Sequence, residues 1–284
     1  MFALPWVTVA LLASTIGAAT GSSLAKRNST CTSKNQRKSW NSLSDGEKAA
    51  YIDAELCLMS SPPKLDIEGA QNRWDEIMYA HIVQSNVIHD VGAFLPWHRL
   101  YMRAHEMLLQ TECNYTGAQP YWEQALDVAA LNESSVFDPD TGFGGNGVGD
   151  DGCVADGPFS SLTLHINQTS SRANYCLSRD FSPTSFRTPL FMLHHTNLDR
   201  LWWLWQSADL PARLTDMTGR NVPLASYLEE NNFTYPSTDI LDYDGDAGNM
   251  TTLEHNLWMA GLIPNATVGD VMDLGGDLIC AEYV

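Results

Sequence analysis

The chain has 284 residues, 44 % hydrophobic and 10 % aromatic. That is enough to bury a substantial core in one domain or at most two, and too apolar for a disordered protein. Acidic residues outnumber basic ones 34 to 16, a formal net charge of −18, which argues against nucleic acid or an anionic membrane surface as a partner.

From the start, Phe2 to Ala19 is almost wholly apolar and ends in small residues. It reads as a secretory signal peptide over residues 1–19, too short and too close to the N-terminus for a membrane anchor. The dibasic Lys26-Arg27 marks a propeptide over 20–27 and leaves a domain spanning 28–284. Asn-x-Ser/Thr sequons begin at Asn28, Asn114, Asn132, Asn167, Asn232, Asn249 and Asn265, as expected of a secreted glycoprotein. Six cysteines lie far apart, without the close pairs of a zinc site. In an oxidising compartment they read as three disulfides, with fifteen pairings open.

Ser44-Asp-Gly-Glu47 is a capping box, and the helix behind it is expected to run to about Met59, stopped by Pro62-Pro63. A second helix is predicted over Glu68–Ile88, with Trp74, Ile77, Met78, His81 and Ile82 on one face. Val91-Gly-Ala-Phe-Leu turns into a third, with Pro96 in its first turn, ending near Cys113. On this helix His98, Met102 and His105 share a face; His105 reads either as a further ligand or, beside Glu106, as a polar surface residue. His81, His89 and His98 are eight and nine residues apart. Three neutral imidazoles at one point suit copper, zinc or non-haem iron, and spacing alone does not choose among them.

Residues 138–157 form a glycine-rich acidic loop. This loop and Asp242–Asp246 both offer oxygens to calcium, but neither keeps the glycine and final glutamate of the helix-loop-helix motif, so solvated loops are expected. The last strong helix, Pro189–Ala208, is apolar almost all round and should be a buried central helix. The tail from Leu257 reads as short segments wrapping the core. These elements describe one mainly α domain, a four-helix bundle with long irregular loops and metal held between facing helices.

Phe94-Leu-Pro-Trp-His-Arg99, followed by Glu106, resembles the first copper motif of the tyrosinase and catechol oxidase family. Leu190-Phe-Met-Leu-His-His-Thr-Asn-Leu-Asp-Arg-Leu-Trp-Trp-Leu-Trp-Gln206 resembles the end of its second. The similarity runs from about Cys31 to Cys280 and is nearest to the short, secreted fungal tyrosinase-like proteins. It implies two copper ions in a helical bundle, each held by three histidines, and oxidation of monophenols or o-diphenols to quinones with dioxygen, with secondary-metabolite biosynthesis as a setting. His81, His89 and His98 fall on the ligands of the first copper, and His195 on the third ligand of the second. His194 reads as structural, and Asp199 as the partner of an arginine, Arg99 or Arg200. No acid or base separate from the ligands is implied. The resemblance also implies the disulfides Cys31–Cys280, Cys57–Cys113 and Cys153–Cys176. Two departures stand out: Gln124 where the family commonly has Trp, and Val87 where some members have a cysteine crosslinked to the second histidine.

A third departure is larger. The family supplies the other two ligands of the second copper from a His-x-x-x-His pair upstream. Between His105 and His194 this chain has only His165, and after Cys176-Leu-Ser-Arg-Asp-Phe-Ser182 it passes straight to Phe186-Arg-Thr-Pro-Leu-Phe191, as though one bundle helix were missing. A skipped coding segment would leave such a junction. A protein holding one copper, or a non-catalytic glycoprotein holding none, would carry it as written.

Overall fold

Ser44 and Glu47 open the first helix by reciprocal bonds: the Glu47 amide donates to Ser44 Oγ and the Ser44 amide to Glu47 Oε2. Helix α1 follows over Asp45–Ser60. The structure, a computed structural model, describes residues 31–166, 172–177 and 188–284. The expected leader and propeptide, the sequons at Asn28 and Asn167, and residues 178–187 of the junction lie outside the described residues.

Helix α2 is shorter than its periodicity predicts, Arg73–Ile82 rather than Glu68–Ile88. Asn72 and Asp75 form a capping box that fixes its start. At its other end the Gln84 amide donates to Ala80 O and the Ser85 hydroxyl to His81 O, capturing carbonyls that a longer helix would use. The early stop matters for the site. On one continuous helix His81 and His89 would stand about 12 Å apart along the axis; the turn brings their ring centroids to 5.0 Å.

Helix α3 spans Phe94–Glu112 with Pro96 in its first turn, where a missing N–H costs nothing. Helix α4, Pro189–Ser207, begins as expected, but it is not buried all round. Phe191, Met192, His195, Asp199, Trp202 and Gln206 face the core, whereas Leu201, Leu204 and Trp205 are 50, 51 and 42 % exposed. α3 packs on α1 and α4, and α1 on α2. Among the described residues the remaining helices α5 (Ala225–Glu230), α6 (Thr238–Asp242) and α7 (Val268–Val271) are short.

Strands are short too: β1 Asn35–Arg37, β2 Gly147–Val148, β3 Cys153–Val154, β4 Thr163–Ile166, β5 Arg172–Cys176, β6 Asn256–Leu257, β7 Ala266–Thr267 and β8 Ala281–Tyr283. They form two-stranded ribbons, antiparallel except for β1 and β8, which run parallel with Asn35 opposite Ala281. The domain is therefore mainly helical with long irregular connections. Disulfides join Cys31 to Cys280, Cys57 to Cys113 and Cys153 to Cys176, the three pairings the resemblance implies. Among the described residues no helix is long and apolar enough to cross a membrane.

The core includes Trp40, Trp74, Trp97, Tyr51 and Tyr101, all at most 1 % exposed; each large side chain so buried contributes about 1.5–3 kcal/mol. Through it runs an ionic network. Arg37 of β1 bonds both oxygens of Glu106 on α3 at 3.2 Å and Asp199 on α4 at 3.3 Å. Arg99 donates to Asp199 at 2.5 Å, and its guanidinium lies 3.8 Å from the Trp202 ring centroid. Tyr283 of β8 donates to Asp199. Of the two arginines considered for Asp199, Arg99 is the partner; Arg200 pairs with Glu123 instead.

Candidate metal centre

Three elements deliver one histidine each: the end of α2 His81, the turn after it His89, and the first turns of α3 His98. One ring nitrogen from each lies within 4.8 Å of the other two, and the ring centroids are 5.0, 5.4 and 5.5 Å apart. The His89 and His98 rings are anchored by the carbonyls four residues back in sequence. Nδ1 of His89 donates to Ser85 O at 2.8 Å and Nδ1 of His98 to Phe94 O at 2.7 Å. A carbonyl can only accept, so the proton of each neutral ring sits on Nδ1 and Nε2 keeps its lone pair. Nε2 of His98 is buried and has no hydrogen-bond partner among the described residues.

Burial holds all three imidazoles below their ordinary pKa. For His81 the neighbouring His89 and His98 add to that, while for His89 the bond to Ser85 partly opposes it. Neutral rings with a defined lone pair are the form that binds a metal ion. A buried, unpaired His98 Nε2 beside two more imidazoles therefore fits a nitrogen-bound metal, and an all-imidazole set suits copper, zinc or iron rather than calcium or magnesium.

His195 reaches the same place from α4 without joining the trio. Its ring stacks on His98, centroids 4.1 Å apart and planes 12° from parallel. Its Nδ1 is buried without a partner among the described residues, and burial, then His98, push its pKa down. Phe191 packs against both His81 and His195, at 5.1 and 4.2 Å, and Phe94 against His98 at 4.6 Å. These two rings wall the site. They are conspicuous in the sequence motifs, but nothing there says which way they face. His194 turns away and donates Nδ1 to Gln124 Oε1 at 2.8 Å, so the residue that stands where the family commonly has Trp is what holds this ring.

The chain's eight histidines all lie in described residues, and the other three have partners elsewhere. His105 is neither a ligand nor a surface residue: it is fully buried between Gln119 Oε1 at 2.8 Å and Glu55 Oε2 at 3.1 Å. His165 bonds Asp75 at 2.9 Å, within the α2 capping box, and His255 bonds Asp246 at 2.6 Å. The two acidic loops differ. In 138–157, Asp138 accepts the amides of Asp140 and Thr141 and so caps its own turn. In the other, Asp244, Asp246 and His255 converge, with the Asp246 side chain buried while Asp242, Tyr243 and Gly245 stay exposed. Asp246 already accepts from Thr252, Asn221 and His255.

The sequence model of the common central domain of tyrosinase matches residues 71–183 and 177–208. Its two pieces overlap at 177–183, next to the junction. Among relatives, the tyrosinase-like protein phomQ1 of Diaporthe leptostromiformis is 30 % identical over 322 residues, covering 89 % of this chain and 78 % of its own. Tyrosinase ustQ of Aspergillus flavus is 28 % identical over 313 residues, 89 % of this chain and 80 % of that one. Both matches run longer than the whole of this chain, so each relative holds sequence inside the match that this chain lacks. In fold, a polyphenol oxidase from Thermothelomyces thermophila superposes with a TM-score of 0.69 at 23 % identity, over 88 % of this chain and 89 % of that one.

Proposed function

The chain belongs to the tyrosinase family, and from that premise we propose that it is a copper-dependent oxidase of phenols, converting monophenols or o-diphenols to quinones with dioxygen. The observation that carries this is the trio His81, His89 and His98, converging from three elements and held below the ordinary imidazole pKa by burial, with the tautomers of His89 and His98 fixed by backbone carbonyls. Copper, when bound, supplies the electron exchange with dioxygen. The chain's own residues hold it, keep their imidazoles deprotonated by burial, and exclude water with Phe94 and Phe191. Fixed ring orientations mean that little is left to reorganise when the phenol arrives. His195 is the residue assigned to a second copper.

A second reading is favoured by the histidine inventory. With His105, His165, His194 and His255 engaged elsewhere, His195 alone remains beyond the trio, too few for a second three-histidine site. On this reading the polypeptide binds one copper and does not run two-copper chemistry. Metal analysis and EPR separate the two. Two coppers per chain without a cupric signal, together with oxygen uptake on adding catechol, support the pair; one copper with a cupric signal and no such uptake supports the lone site. Zinc at the trio, or no copper after reconstitution, defeats both. His89→Ala, at a half-buried position, should lose the trio's copper while the chain stays folded.

The setting we propose is extracellular, after removal of residues 1–19 and trimming within 20–27, with 28–284 the tyrosinase-like domain. Three disulfides support it. So do exposed sequon asparagines Asn114, Asn132, Asn232 and Asn249. Asn265 is the least available of the described sequons, because its amide bonds Met259 N and Tyr243 OH.

A further inference from the structure

A cavity of about 360 Å³ shares a wall with the metal centre. The shared wall is Trp97, whose ring is 4.9 Å from His98 and 5.8 Å from His81. Ile88, Leu241, Tyr243 and Trp258 add apolar and aromatic walls, open to solvent on the side of Tyr243, which is 55 % exposed, around a space that takes a small organic molecule. Its charge is one-sided. Asp239 and Asp244 line it, and no Lys or Arg does; the one basic side chain in the wall, His255, is committed to Asp246. Burial, and Asp246 next to it, hold the Asp244 carboxyl above its ordinary pKa, against the Asp246 amide and His255, which pull it down; Asp244 accepts from Asn221 Nδ2 and the Asp246 amide. Asn221 also lines the cavity at 4 % exposure, and its Oδ1 has no hydrogen-bond partner among the described residues.

A neutral phenol suits the walls but leaves the negative charge of Asp239 and Asp244 unbalanced, and a metal ion balances the charge but not the apolar walls. We propose that the cavity binds an organic ammonium ion with an aromatic body. The ring lies among Trp97, Tyr243 and Trp258, the ammonium group faces Asp239 and Asp244, and Asn221 Oδ1 accepts one of its N–H bonds. Aromatic faces and carboxylates both favour a cation whose hydration shell is thin. Binding here is separate from turnover at the histidines.

The test is calorimetric titration of the full chain with 2-phenylethylamine, protonated at neutral pH, against 2-phenylethanol, which has the same body and no charge. The expected result is one amine per chain, bound with similar affinity to copper-loaded and metal-free protein, and the alcohol weaker by about tenfold or more. Asp239→Asn, at an exposed position and so without cost to the fold, should weaken the amine about threefold, and Asp239→Asn with Asp244→Asn by about tenfold. Equal affinity for amine and alcohol, binding that appears only with copper, or binding unchanged in Asp239→Asn overturns the proposal.

Discussion

His105 shows how one residue can look like a ligand and be a strut. It shares a helix face with His98, which is all a sequence can display. In the fold its two nitrogens meet Gln119 and Glu55, and Trp74 packs edge-on at 5.8 Å. His105→Ala would leave both polar partners buried and unmatched, so it should cost about 2–4 kcal/mol, read from urea unfolding, while copper content stays at the wild-type value. Loss of copper at unchanged stability would return His105 to the metal. The trio itself was legible because its members lie eight and nine residues apart and His98 sits within Phe94-Leu-Pro-Trp-His-Arg99. The partners of His105 were not, since Glu55 and Gln119 come from segments 50 and 14 residues away.

Helices α1, α3 and α4 could be read nearly to their ends, because a capping box, a first-turn proline and long apolar periodicity are local signals. α2 could not. Its stop depends on Gln84 and Ser85 folding back onto its last carbonyls, a competition that hydrophobic period does not register. α4 errs the other way: hydrophobic residues all round suggested burial, yet Leu201, Leu204 and Trp205 face outward. An apolar strip of this kind is what a neighbouring helix would cover. Because the strip is already wet, Leu201→Glu with Leu204→Lys should change unfolding free energy by less than about 0.5 kcal/mol and reduce binding of a hydrophobic dye. A loss above about 2 kcal/mol would mean that the strip is packed.

For the molecule as a whole, the buried ionic network is the feature least visible in the chain, since Arg37 finds Glu106 69 residues away and Asp199 162 away. Burial alone would raise the Glu106 carboxyl, but Arg37, then Arg103 and the Gln119 amide, hold it below its ordinary pKa. The unfolded chain, with its glutamate near 4.3, therefore takes up this proton first as the solution is acidified. The stabilisation is complete above about pH 4.3 and disappears as pH falls through the lower folded value. Glu106→Gln should remove that part of the acid sensitivity. It should also cost about 3–5 kcal/mol at neutral pH, because Arg37 stays buried without its main partner. Unfolding free energy measured from pH 7 to 3 checks both, and parallel curves for the two proteins would contradict the assignment.

The pairing of β1 with β8, sealed by Cys31–Cys280 with Cα atoms 5.5 Å apart, also has a mechanical consequence. A pull applied at the two ends of the domain meets a covalent clasp before it meets any helix. The load passes across a few residues beside the clasp, and the chain between Cys31 and Cys280, 249 positions apart in sequence and with the metal centre inside it, carries no tension until that sulfur bond is reduced.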